Sequence, residues 1–194
     1  MVSKAVARSY SSALWLYDLT GGWRIGERHR PRFGAPFNHP TDVAVAPSGD
    51  IYVSDGYGNA HVHRFAADGR HLQSWGGIGT GPGEFSTPHG VWVTGDGRVL
   101  VSDRENNRIQ IFTPDGAYLG EWGDLYHPMD IWGDADGTIY VTDQAPRIVA
   151  YAPDGTVLGR AKTVATISHG IWGDPAGNLF CCEANGRMTK LELM

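Results

Sequence analysis

The chain has 194 residues, with 16 basic and 21 acidic side chains and a formal net charge of −5. This length suits one well-buried domain. The mild acidity argues against a nucleic-acid partner, because nonspecific binding to phosphates depends on clustered lysine and arginine. The sequence lacks a long apolar run and an apolar leader with a cleavage site, so we expect a cytoplasmic protein without a membrane partner. The 27 glycines favour an all-β fold with many tight turns.

The first predicted elements lie within residues 13–25. Their sequence, ALWLYDLTGGWRI, places a Gly-Gly turn between two apolar runs, which is typical of a strand, a turn and a second strand. Residues 26–37 are rich in arginine and proline and predict an exposed linker.

Four similar copies follow, at residues 38–87, 88–126, 127–166 and 167–194. In each copy an apolar strand is followed by a turn and a second apolar strand that ends on an acid. These acids are Asp55, Asp103, Asp143 and Glu183, and their spacings are 48, 40 and 40 residues. A period near 40 residues with several short strands in each unit indicates the blades of a β-propeller. We therefore predict an all-β propeller of about four blades, each with four antiparallel strands, in a single domain.

The last copy ends before a fourth strand, whereas residues 13–25 supply unassigned strands. Because an open sheet edge invites aggregation, we expect this N-terminal segment to close the propeller beside residues 187–193. A ring of four blades is small, so association of two chains edge to edge into a homo-oligomer is a further expectation.

Several residues that recur in the copies have a structural interpretation. We expect the four acids to accept backbone N–H groups in tight loops. We expect the recurring tryptophans, Trp92, Trp132 and Trp172, to pack between blades. The neighbouring Cys181 and Cys182 are predicted to be reduced thiols, because a bridge between adjacent cysteines is strained.

Histidines alternate between the copies. Copies two and four carry His89 and His169 where copies one and three carry Thr41 and Met129. Side chains at this position should converge on the propeller axis, and two converging imidazoles can hold a divalent metal such as zinc. Two further candidate ligands, His39 and His127, precede the same position by two residues. The alternative is that these histidines cap turns by bonding to backbone carbonyls.

Two other side chains are candidates for catalysis. Tyr57, on an Asp-Gly-Tyr-Gly turn, could act as an acid or base beside a metal, or else be a stacked aromatic of the loop. Arg104 could stabilise a substrate oxygen, or else pair with Asp103 or Glu105.

The sequence resembles NHL-repeat propellers, and within them peptidyl-α-hydroxyglycine α-amidating lyase and its bacterial relatives. The resemblance rests on segments that cover the start of copy one, the Asp-Gly-Tyr turn, the Pro-His strand and the Asp-Arg-Glu-Asn turn. These segments are residues 37–45, 53–59, 83–89 and 101–112.

The resemblance implies six blades around a zinc ion held by three histidines from alternate blades. It identifies His89 and His169 with two of the zinc ligands, Tyr57 with the catalytic tyrosine and Arg104 with an active-site arginine. The third histidine and a second arginine of that family have no counterpart here, so the chain resembles the family's scaffold shortened by about two blades.

These observations favour a metal-dependent enzyme with its active site at the axial mouth, acting on a small-molecule substrate. By resemblance it would be a lyase; by chemistry it could also be a hydrolase of esters, lactones or phosphotriesters. The alternative is a non-catalytic NHL-repeat scaffold that binds a protein or a small molecule.

Overall fold

A computed structural model describes strands at residues 5–10, 13–18 and 24–25, and all residues in the ranges 37–163, 167–184 and 186–192. It confirms the all-β prediction, with four successive blades of antiparallel strands. The regular helical structure in these ranges is one short 3-10 turn at Arg104–Asn106. No helix in the described ranges is long and apolar enough to span a membrane.

Each of the first three blades is a four-stranded meander that runs outward from the axis, and the last blade has three described strands. Blade 1 consists of β4 (Asp42–Val45), β5 (Ile51–Asp55), β6 (His61–Phe65) and β7 (His71–Gly76). Blade 2 consists of β8 (Pro88–Val93), β9 (Val99–Asp103), β10 (Arg108–Phe112) and β11 (Tyr118–Trp122). Blade 3 consists of β12 (Pro128–Gly133), β13 (Ile139–Asp143), β14 (Arg147–Tyr151) and β15 (Val157–Lys162). Blade 4 consists of β16 (Ser168–Gly173), β17 (Leu179–Glu183) and β18 (Met188–Leu191).

The N-terminal strands differ from the expected closure. Their ranges are Ala5–Tyr10 (β1), Ala13–Asp18 (β2) and Arg24–Ile25 (β3), and they form a three-stranded sheet of their own. Residues 13–18 and 24–25 are extended, as predicted, but they do not pair with β18, whose described partner is β17. The central strand β2 is instead paired along one edge with β1, which the sequence pattern did not reveal, and along the other edge with β3. The predicted linker lies outside the described residues, except for Phe37.

The hydrophobic core lies between successive blades, because the inner strands β4, β8, β12 and β16 pack side by side in chain order. The tryptophan of each middle blade fills a space that a glycine leaves on the next blade. A Cβ on Gly133 would lie 2.6 Å from Trp92 Nε1, and a Cβ on Gly173 would lie 2.2 Å from Trp132 Cη2. The predicted role between blades is therefore confirmed for these two tryptophans, whereas Trp172 of blade 4 is 56% exposed.

The recurring acids are buried and hold the chain where it enters each inner strand. Asp55 accepts the backbone N–H of Asn38 at 2.8 Å, and Asp103 accepts that of Ser86 at 2.7 Å. Asp143 accepts the N–H of Tyr126 at 3.1 Å in the same register. The structural interpretation of these three acids is therefore confirmed, and each one links the end of a blade's second strand to the start of its first.

The two cysteines are free thiols in contrasting surroundings, because neighbours on β17 face opposite sides of the sheet. Cys181 is fully buried, and burial raises the pKa of its thiol to about 12, with smaller contributions from Cys182 and Glu183.

Since the thiolate is the reactive form, we expect Ellman's reagent to modify Cys182 of the folded protein quickly and Cys181 only after denaturation. Equal rates of modification of the two cysteines in the native protein would contradict this assignment.

Candidate active site

Tyr57 and His89 meet at the mouth of the propeller, although they belong to different blades. Tyr57 lies in the turn after β5, and His89 is the second residue of β8. The Tyr57 hydroxyl lies 3.1 Å from His89 Nε2, and His89 Nδ1 lies 3.0 Å from the carbonyl oxygen of Met129. Since a carbonyl only accepts, Nδ1 carries the proton and donates it, and Nε2 accepts from Tyr57. The tautomer of His89 is thus set by the backbone of blade 3.

The ring of His169 lies against the ring of His89. The centroids of the two imidazole rings are 5.0 Å apart, with an angle of 73° between the ring planes. His169 occupies the same place on β16 as His89 does on β8. The structure therefore brings together the two histidines that the repeat register singled out, at a separation that allows both to contact one small ion. Metal binding itself stays a prediction.

Two partly buried carboxylates, Asp42 and Asp130, position these inner strands. Asp42 accepts the N–H of Val91 at 2.9 Å, and Asp130 accepts the N–H of Ile171 at 2.8 Å. Each acid thus links the inner strand of one blade to that of the next blade. Burial raises the pKa of both, to about 6 for Asp130, and the nearby Asp130 charge raises the pKa of Asp42 further.

Sequence reasoning missed these two acids, although a signal for them was present. The position after the alternating histidine reads Asp42, Gly90, Asp130 and Gly170. The glycines fall where neighbouring blades come close, since a Cβ on Gly90 would lie 2.7 Å from the carbonyl oxygen of Met129. The alternation of aspartate and glycine therefore marks the two inter-blade contacts beside the histidines.

The electrostatics of the site keep both histidines neutral. Burial, together with the proximity of His169 and Arg104, lowers the pKa of His89 to about 4. Burial also lowers the pKa of His169, and Arg104 contributes to this effect as well. Neutral imidazoles are the form that binds metals or accepts a proton, so this pair is available for either role near pH 7.

Arg104 is held at the mouth by Gln144 and Glu105, of which sequence reasoning connected only Glu105 with it. When the amide oxygen of Gln144 faces the guanidinium, it accepts from Arg104 Nε at 3.3 Å and from Nη2 at 2.8 Å. Glu105 Oε1 lies 3.5 Å from Arg104 Nη1, so one predicted ion pair is present. Arg104 and Gln144 each follow the recurring acid of their blade and so occupy equivalent positions in the repeat. This equivalence is the sequence signal that could have predicted their contact.

His39 and His127 lie on the turns that lead into their inner strands. Both have a left-handed backbone, with φ of 67° and 47°. His39 Nδ1 lies 2.8 Å from Asn38 Oδ1, while the ring of His127 stacks on Tyr126 and lies 3.6 Å from Glu105. Among the described ring contacts, His89 meets His169 and Tyr57, whereas His127 meets Tyr126.

The fit of this site to a metal can be judged from its donor atoms. His89 Nε2 carries a lone pair and faces the exposed Tyr57, and His169 supplies a second neutral imidazole. Imidazoles suit zinc and similar divalent ions. Within the described ranges, no group of three or more His, Cys, Asp or Glu side chains has a metal-binding arrangement. The residues present therefore fit an ion held by two histidines, with the other coordination positions of the ion left for water or substrate.

Comparison with known sequences identifies the repeats. The family described as NHL repeat matches residues 37–65 and 85–112. NHL repeat-containing protein 3 from Homo sapiens is 33% identical over 150 residues, which cover 76% of this chain and 39% of that protein. Peptidyl-glycine alpha-amidating monooxygenase from Mus musculus is 43% identical over 100 residues, or 47% of this chain and 10% of that protein. Peptidyl-alpha-hydroxyglycine alpha-amidating lyase 1 from Drosophila melanogaster is 35% identical over 97 residues. The chain thus spans well under half the length of these relatives.

Solved structures support the fold. Virginiamycin B lyase from Staphylococcus aureus has a TM-score of 0.67 and 15% identity, and the match covers 99% of this chain and 70% of the lyase. A candidate gluconolactonase has a TM-score of 0.71 and 21% identity, with 96% of this chain and 69% of that chain covered. At these identities the similarity concerns the architecture. The chain therefore folds as a β-propeller in which residues 37–65 and 85–112 carry NHL repeats.

Proposed function

We propose that the mouth formed by Tyr57, His89, Arg104 and His169 is a metal-dependent active site for a small carbonyl or carbinol substrate. The observation that carries the proposal is the contact of the Tyr57 hydroxyl with His89 Nε2, beside the ring of His169. A tyrosine, two neutral imidazoles and an arginine at one opening of a propeller form a set of groups for acid–base and electrophilic chemistry. The similarity to amidating lyases favours a lyase, with hydrolysis of esters, lactones or phosphotriesters as the broader class.

His89 and His169 would hold a divalent ion, zinc being the candidate that suits imidazoles. When bound, such an ion supplies Lewis-acid polarisation and lowers the pKa of a neighbouring hydroxyl or water. Tyr57 is exposed and its hydroxyl lies 3.1 Å from His89 Nε2, the nitrogen whose lone pair would hold the ion. With an ion on that nitrogen the hydroxyl is released from His89 and stands beside the ion, where it can exchange a proton with a substrate in the mouth. Arg104, oriented by Gln144, can bind an oxygen that becomes negative during the reaction.

For a peptidyl α-hydroxyglycine substrate, these groups suffice for a balanced elimination. A base removes the proton of the α-hydroxyl group, a carbonyl forms at that carbon, and the carbon–nitrogen bond breaks. The departing amide nitrogen keeps the electron pair and takes up a proton. Tyr57 is the candidate for moving the proton, and Arg104 is the candidate for stabilising the oxygen.

The first test is the metal content of the purified protein, measured by mass spectrometry before and after treatment with a chelator. We expect about one zinc-class ion per mouth and weaker binding in His89→Ala and in His169→Ala. Because His89 is buried, the circular dichroism and the melting temperature of each variant must first show that it is folded. Unchanged metal affinity in folded forms of both variants would contradict the proposed ligands.

The second test is catalysis with a peptidyl α-hydroxyglycine, a δ-lactone and a phosphotriester. We expect Tyr57→Phe to lower kcat about 100-fold or more on the substrate that reacts, as is typical when a general acid or base is removed. Tyr118→Phe is the matched control, since that hydroxyl lies on an outer strand, 3.2 Å from Glu121. Equal rates for the two tyrosine variants would show that Tyr57 does not transfer the proton.

The scaffold alternative is favoured by one observation: NHL repeat-containing protein 3, whose match covers 76% of this chain, has a name that states only its repeats. The same assays separate the two functions. A protein that binds no metal at the mouth and turns over none of the three substrates would be assigned as a binding module.

A further inference from the structure

The outer strands of blade 1 carry a second group of histidines, away from the mouth. His61 and His63 lie on β6 and His71 lies on β7. The ring centroids of His61 and His63 are 6.2 Å apart with nearly parallel planes, and those of His63 and His71 are also 6.2 Å apart. Three imidazoles thus form a row across two neighbouring strands.

The equivalent positions in the next two blades carry different side chains. In blades 2 and 3 an arginine stands directly after the turn that follows the recurring acid. Its Nε donates to that buried acid at 2.8 Å, from Arg108 to Asp103 and from Arg147 to Asp143. Blade 1 has His61 in that place, and the ring of His61 turns to the carbonyl of Asn59. The acid of blade 1, Asp55, is therefore left without a permanent positive partner among its described contacts.

The partner that Asp55 has instead is His63. His63 Nε2 lies 3.3 Å from Asp55 Oδ2, and both side chains are buried. The other carboxylate oxygen, Oδ1, is buried without a hydrogen-bond partner in the described part of the chain. A histidine that donates one ring N–H to a buried carboxylate, and so presents the other nitrogen outward, has the arrangement that orients metal-binding imidazoles in proteins.

One ring nitrogen of His63 and one of His71 point at the same serine hydroxyl. His63 Nδ1 lies 2.6 Å from Ser74 Oγ, and His71 Nε2 lies 2.8 Å from the same oxygen. A serine hydroxyl has one proton, so it can donate to one of the two rings and must accept from the other. Both His71 and Ser74 are exposed, so a hydrated ion can reach this point from solvent.

We propose that His63 Nδ1, His71 Nε2 and the Ser74 hydroxyl form a surface site for a divalent transition-metal ion, oriented by Asp55. Imidazole ligands suit Zn²⁺, Ni²⁺ and Cu²⁺, with Cu²⁺ bound most tightly. Two imidazoles and a hydroxyl leave further positions for water, and His61 lies at the edge of the row. This site is separate from the mouth and does not depend on the function proposed there.

The test uses the His89→Ala/His169→Ala double variant, in which the mouth has lost both candidate ligands. In a calorimetric titration with Zn²⁺ we expect one remaining ion to bind. Adding His71→Gln should weaken this binding at least about tenfold, and adding Asp55→Asn should weaken it by about 10- to 100-fold, as is typical for a residue that orients a ligand. Gln73→Ala, on the same strand but facing the other side of the sheet, is the control and should leave the affinity unchanged.

A second readout identifies the ligands directly. Electron paramagnetic resonance of bound Cu²⁺ should show nitrogen hyperfine coupling from two imidazoles, and His71→Gln should remove one of them. His71 is exposed, so this variant is expected to fold, and circular dichroism will verify it. The proposal is overturned if the double variant shows no saturable binding of Zn²⁺ or Cu²⁺, or if folded His71→Gln binds as tightly as its parent.

Discussion

Replacing Arg108 with methionine is expected to lower the free energy of unfolding by about 3–5 kcal/mol, because the change leaves the buried Asp103 without its charge partner. Arg108 Nε donates to Asp103 Oδ2 at 2.8 Å, and the carboxylate is fully buried. The guanidinium also donates to the Gly81 carbonyl at 2.9 Å and to Glu121 at 2.8 Å. One side chain thus joins the middle strands of blade 2 to the loop that precedes its inner strand.

Arg98 provides the matched control. It pairs with Asp96 at 2.9 Å, but Asp96 is more than half exposed, and such surface pairs contribute at most about 1 kcal/mol. Urea unfolding followed by circular dichroism should therefore show a large shift of the midpoint for Arg108→Met and a small one for Arg98→Met. Similar shifts for both variants would show that the Asp103 network does not depend on the arginine.

Gly173→Ala is expected to destabilise the protein by about 1–3 kcal/mol, the usual cost of overfilling a packed core. The new Cβ would lie 2.2 Å from Trp132 Cη2 and 2.5 Å from Cζ2, so the indole has to move. Trp132 packs against the cluster that joins blades 3 and 4, which includes Tyr140 and Ile171. The strain should therefore appear at the interface between these two blades.

The control for this prediction is Gly159→Ala, on the outer strand β15, where an added Cβ meets nothing within 4 Å. This change should be neutral or stabilising by up to about 1 kcal/mol, since glycine in a strand loses more backbone freedom on folding than alanine. Combining Gly173→Ala with Trp132→Leu should cost less than the sum of the two single changes, because the smaller side chain leaves room for the methyl group. Thermal unfolding of the four variants measures both effects, and strictly additive costs would contradict the proposed packing.

The sequence alone determined the architecture. A repeat of about 40 residues, strands of period two and Asp-Gly hairpin turns were enough to predict the blades, because these signals are local and occur in each copy. The same register predicted that the recurring acids are structural, and the structure confirms it for Asp55, Asp103 and Asp143. It also singled out His89 and His169, because an alternating position in a propeller must face one axis.

The tertiary structure decided which of these side chains touch. The contacts of Tyr57 with His89 and of Gln144 with Arg104 join different blades, so they depend on how closely neighbouring blades approach. The pairing of β2 with β1, rather than with the last blade, also depends on which backbone partner lies nearest in space. The repeat register gives the position of a residue along the strands of its blade. The distance between blades and the rotamer of each side chain result from packing.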